Sequence, residues 1–73
     1  MEKSLIIKDV VGNTAGLIWK QLHEQSGGLR TVDLKKDLLV SNSMLFAAIG
    51  WLFRENKIEL VPEETGFIVK LIG

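Results

Sequence analysis

The apolar positions of this chain follow one period in its first three quarters and another at its end. From about Val11 or Asn13 to Gln25, Val11, Ala15, Ile18 and Leu22 recur at three- and four-residue steps and share one face. Trp19 flanks that face, while Lys20, His23 and Glu24 lie away from it. The spacing predicts a helix that stops at Gly27-Gly28, because glycine adopts the left-handed backbone that closes a helix. Ahead of it, Ser4 to Lys8 reads as a short apolar, extended stretch.

Beyond the glycines, Leu29-Arg30-Thr31 reads as short and extended, a candidate minor strand. Thr31 is the expected cap of a second helix, with Asp33 in its first turn and Leu34 and Leu38 sharing a face. Leu39-Val40 makes the turn, and Ser41 or Asn42 caps a third helix that runs to about Glu55. Its inward face is Leu45, Ala48, Ile49 and Leu52, and Asn56 ends it in the left-handed region. The period then becomes two. Ile58 and Leu60 alternate with Glu59 and Val61, Pro62 to Gly66 turns the chain, and Phe67, Val69 and Leu71 alternate with Ile68, Lys70 and Ile72. Lys70 marks the outward side, so Phe67, Val69 and Leu71 are expected to face the helices.

The reading is an α+β fold with three helices, a C-terminal two-stranded hairpin and a short third strand. That order resembles a winged helix-turn-helix. Leu34 to Ser41 resembles the second helix and turn of bacterial winged-helix regulators, and Leu52 to Ile58 the end of their recognition helix entering the wing. Leu39 departs from the pattern, since glycine often occupies that turn; a leucine there implies a wider turn or an apolar patch beside it. Thr14 to Trp19 and Gly50 to Glu55, with Lys57-Ile58 following, are similar to a small family of stand-alone bacterial winged helix-turn-helix proteins of uncharacterised function. The resemblance implies the fold and a DNA-binding, transcription-associated ancestry. It implies no catalytic residue.

Composition narrows the function. Seventy-three residues make one domain, 1–73, with a small core. There is no cysteine, so neither a disulfide framework nor a thiolate metal site is available, which fits a cytoplasmic setting. The longest apolar runs are too short to span a bilayer, and the first residues lack the form of a signal peptide. His23 is the only histidine and has no triad or ligand set beside it. A non-enzymatic domain without cofactor or metal is expected. Nine Lys and Arg balance nine Asp and Glu, so the basic excess that phosphate binding favours is missing.

The third helix is where a winged helix reads bases, and its outward stripe here is Ser43, Ala47, Gly50 and Arg54. Met44 and Trp51 border the stripe on one side, Phe46 and Phe53 on the other. Only Asn42, Ser43 and Arg54 offer donors to a base or phosphate. The small residues admit a close backbone, and the aromatics supply anchors for a protein contact. The candidate DNA or partner contacts are therefore Asn42, Ser43, Phe46, Ala47, Gly50, Trp51 and Arg54, and the candidate phosphate contacts are Arg30, Lys35, Lys36 and Lys57. The hairpin tip, Glu63-Glu64, repels phosphate where a DNA-touching wing presents Lys or Arg. Two functions follow: DNA binding, implied by the fold and the resemblance, and protein pairing or homodimerisation through the third helix, implied by its apolar outer side. Leu5-Ile6-Ile7 is a candidate contributor to such an interface.

Overall fold

The computed structural model describes the backbone of residues 2–25 and 27–72, and side chains from Ile7 onward within those ranges. The elements are α1 (Glu2–Glu24), β1 (Leu29–Arg30), α2 (Thr31–Leu38), α3 (Asn42–Arg54), β2 (Ile58–Glu63) and β3 (Gly66–Leu71). The three strands form one antiparallel sheet in the order β1-β3-β2.

The core is a single cluster. Val11, Ala15, Ile18 and Leu22 of α1 meet Leu34 of α2, Leu45, Ala48, Ile49 and Leu52 of α3, and Ile58 and Val69 of the hairpin. These are the faces that the helical and two-residue periods single out. Partly buried Leu38, Trp51, Leu60 and Leu71 pack around it. Val69 and Leu71 face the helices as expected, whereas Phe67 is half-buried and sits apart from that cluster.

Four local expectations are corrected. Residues 4–8 are helical, not extended, so α1 begins at Glu2 rather than near Val11. Ile7 continues the buried row one turn past Val11, and at 57% exposure it shows that the row outruns its cover. Ile7 and Val10 are thus exposed apolar residues on a helix, and a short apolar run of this kind does not by pattern alone separate helix from strand. Leu5 and Ile6 lie outside the described side chains.

The second correction concerns Thr31. It is the first residue of α2, not its cap; Arg30 occupies the cap position with extended backbone and no capping side-chain bond. The Thr31 hydroxyl instead accepts a hydrogen bond from the Phe67 N–H at 3.2 Å. β1 pairs Leu29 with Val69 and Arg30 with Ile68, so Phe67 is the next rung, where the chain has already turned into α2. The buried hydroxyl replaces the missing strand carbonyl. Third, Pro62 and Glu63 belong to β2, paired with Phe67 and Gly66, and the turn is only Glu64-Thr65. Proline is tolerated there because β2 is an edge strand. Gly66 carries a positive φ of 152°, and a Cβ on it would collide with Thr31 Oγ1. Finally α3 ends at Arg54, one residue short of the expected Glu55.

Both ends of α3 follow from its sequence. Ser41 Oγ accepts from the Met44 N–H at 3.1 Å, making Ser41 the cap. Asn56 takes φ 58°, with its N–H on the Phe53 carbonyl and the Lys57 N–H on the Leu52 carbonyl, each at 3.1 Å. That paired closure lets asparagine stop the helix without glycine and aims the chain into β2.

Candidate interaction surface

Leu45, Ala48, Ile49 and Leu52 anchor α3 in the core, so Ser43, Ala47, Gly50 and Arg54 point outward and are exposed. The two borders of that stripe have different fates. Met44 and Trp51 turn toward the core, and the Trp51 ring lies over α1: a Cβ on Gly12 would sit 3.6 Å from its Cζ/Cη edge. Trp51 is therefore half-buried packing between two helices, with part of its surface still open beside Arg54 and Glu55. Phe46 and Phe53, two turns apart, stay exposed at 42% and 52%. A Cβ added at Gly50, between them, would meet nothing within 4 Å. The result is a notch at Gly50 and Ala47 with a phenylalanine at either end.

Next to it, Phe46, Asn42 and Leu45 line a groove of about 300 Å³ with Thr31, Val32, Lys35 and the wing residue Thr65. Asn42, Phe46 and Lys35 are thus brought together across the α2–α3 angle. Arg54 is separate, beside Trp51 and Glu55 at the far end of α3.

The four candidate phosphate contacts divide evenly. Arg30 Nε donates to Asp33 Oδ2 at 3.2 Å, and Lys57 Nζ lies 3.6 Å from Glu55 Oε1. The hydrogen bond to Asp33, then the charges of Asp33 and of Glu63 in the wing, hold the Arg30 guanidinium above its ordinary pKa. Its positive charge is accordingly directed to carboxylates of its own chain. Among the described residues, Lys35 and Lys36 have no carboxylate within 4 Å. At the tip, Thr65 Oγ1 donates to Glu63 Oε2 at 3.4 Å, which leaves the negative charge in place. Sequence reasoning missed the Thr31–Phe67 bond and the Gly12–Trp51 contact, both of which depend on elements far apart in the chain.

Among the described residues no group of three or more His, Asp or Glu side chains is placed to hold a metal ion. His23 stacks on Trp19 with ring centroids 5.0 Å apart. No helix among the described residues is long and apolar enough to cross a membrane.

Helix, short strand, helix, turn, presented helix and closing hairpin, with the short strand paired to the hairpin, define a winged helix-turn-helix domain. The chain belongs to the family of the winged helix-turn-helix domain DUF2582, whose model matches residues 1–71. It is similar to protein BT2368 from Bacteroides thetaiotaomicron, whose solution NMR structure superposes with a TM-score of 0.73 at 30% identity, covering 88% of this chain and 77% of that one. No curated protein matches it.

Proposed function

We propose that this domain is a non-enzymatic docking module that pairs with a second copy of itself through the outer face of α3. The observation that carries the reading is the exposed Phe46–Gly50–Phe53 line, with a notch where a base-reading helix would carry Arg, Lys, Asn or Gln. Two such helices laid antiparallel about Gly50 are self-complementary. Phe53 of one then meets Ala47 of the other, Arg54 lies over the ring of Phe46, and the glycines let the backbones approach. Each contact occurs twice, as a two-fold interface requires, and an arginine over an aromatic face adds a cation–π attraction. The formal net charge of zero removes the repulsion that two strongly charged copies would feel.

The second reading is DNA binding, supported by the family's fold, by Lys35 and Lys36 on α2 and by Asn42 at the start of α3. Fold alone is a weak warrant for a function. The acidic wing tip, the neutral charge and the engagement of Arg30 and Lys57 with carboxylates weigh against it.

Light scattering and DNA anisotropy on one sample separate the two. Self-pairing predicts a mass that rises toward the dimer between about 1 and 100 μM, is largely insensitive to moderate salt, and falls to the monomer in Phe53→Lys. DNA reading predicts binding to duplex that weakens steeply with salt and is lost in Lys35→Glu/Lys36→Glu. A monomer at all concentrations together with salt-dependent duplex binding would replace the first reading by the second.

A further inference from the structure

α2 has a second apolar face. Leu34 and Leu38 turn inward, as a short helix packed on a core requires. Its outer side should then be polar, yet Val32 and Leu39 are both exposed there, one turn on either side of Lys35 and Lys36. Leu39 is the extreme case. It is 89% exposed and closes α2 in the left-handed region at φ 55°. Its N–H and the Val40 N–H both donate to the Lys35 carbonyl, a closure that glycine or asparagine makes with less strain. The fold therefore holds an aliphatic side chain in water at a strained position that it does not need for packing.

Val32, Lys35, Lys36, Leu39 and Val40 together line an open groove of about 540 Å³. Its lining combines aliphatic residues with two lysines whose ammonium groups, among the described residues, have no carboxylate within 4 Å. An occupant must satisfy both. A phosphate backbone would use the lysines and leave Leu39 and Val32 uncovered. A purely apolar segment would leave the lysines over greasy surface without counter-charge. We propose that this face of α2 docks an acidic amphipathic helix from another protein, with leucine-type anchors over Val32 and Leu39 and glutamate or aspartate against Lys35 and Lys36. The site lies on a different helix from the α3 pairing surface and does not rest on that reading.

The test uses the full chain and a fluorescein-labelled synthetic helix of about 16 residues, long enough to hold a helical face. It carries leucine at three- and four-residue steps with glutamate beside them. One control peptide has lysine for every glutamate, and a second has serine for every leucine. Anisotropy should show the acidic leucine peptide binding at least about tenfold more tightly than either control. Leu39→Gly should weaken it by a similar factor while melting no lower than the parent, since glycine relieves the left-handed strain. Lys35→Glu/Lys36→Glu should reverse the preference toward the lysine peptide, and Gly50→Arg and Phe53→Lys should leave it unchanged. Equal binding of the acidic and basic peptides, indifference to Leu39→Gly, or no binding up to about 1 mM would each overturn the proposal. So would a shift of the self-association curve in Leu39→Gly, which would make a second copy the occupant. Duplex DNA binding lost in Lys35→Glu/Lys36→Glu, with no peptide binding, would likewise assign the lysines to phosphate.

Discussion

At the scale of single residues, the informative positions are those where backbone geometry and side-chain chemistry disagree. Leu39 in a left-handed cap costs about 1–2 kcal/mol relative to right-handed backbone, and glycine would return about 0.5–1 kcal/mol of that as lost chain entropy. Leu39→Gly should therefore stabilise the domain by about 0.5–1 kcal/mol, read from the midpoint of urea unfolding. Thr31 works in the opposite direction. Thr31→Val keeps the shape but leaves the Phe67 N–H without its acceptor, and should cost about 1–2 kcal/mol in the same measurement. Gly66→Ala should cost at least as much, because the new Cβ meets the Thr31 hydroxyl at a backbone angle that L-residues rarely adopt. The departure at Leu39 was visible in the sequence, as a leucine in a turn that often holds glycine. The role of Thr31 was not. A threonine two residues ahead of an acidic one reads as a cap, and only the register of β1 against β3 shows that its hydroxyl completes a sheet.

At the scale of elements, the helical and two-residue periods located each buried hydrophobic residue described in α1 and α3, because burial on one face is what produces a period. They failed at the start of α1, where the period runs past its cover, and at Pro62, where an edge strand accommodates a residue that elsewhere punctuates turns. They also could not separate the two borders of α3, since whether Trp51 or Phe53 is buried depends on where α1 crosses. This gives a paired prediction. Trp51→Lys should lower stability by about 2–4 kcal/mol through lost packing on α1, whereas Phe53→Lys should leave the monomer fold within about 0.5 kcal/mol of the parent. Thermal unfolding of dilute samples checks both. Glycines in the two long helices supply a second comparison. Gly16 and Gly50 are both exposed with open space around the missing Cβ, so alanine at either should stabilise the monomer by up to about 1 kcal/mol. Only at Gly50 should the gain be accompanied by weaker self-association.

At the scale of the whole molecule, the architecture and the surface chemistry point to different partners. In DNA-reading winged helices the helix at the place of α3 is the reading head, whereas the neutral net charge, acidic wing tip and phenylalanine-bordered notch of this chain are what support the proposed protein contact. The sequence made that conflict legible, because the outward stripe follows directly from the inward one. The Lys35–Leu39 groove was less so: it needed the left-handed backbone at Leu39 and the pairing of Arg30 with Asp33 to single out which cations remain free of a nearby carboxylate among the described residues. The central claim, that α3 meets α3, is tested most directly by isotope-filtered NOE spectroscopy on an equimolar mixture of labelled and unlabelled chains. The account predicts intermolecular contacts from the Phe53 ring to the Ala47 methyl, and between the two Gly50 α-protons, that vanish in Gly50→Arg. A dimeric sample whose intermolecular contacts avoid α3, or a sample that gives none at about 1 mM, would contradict it.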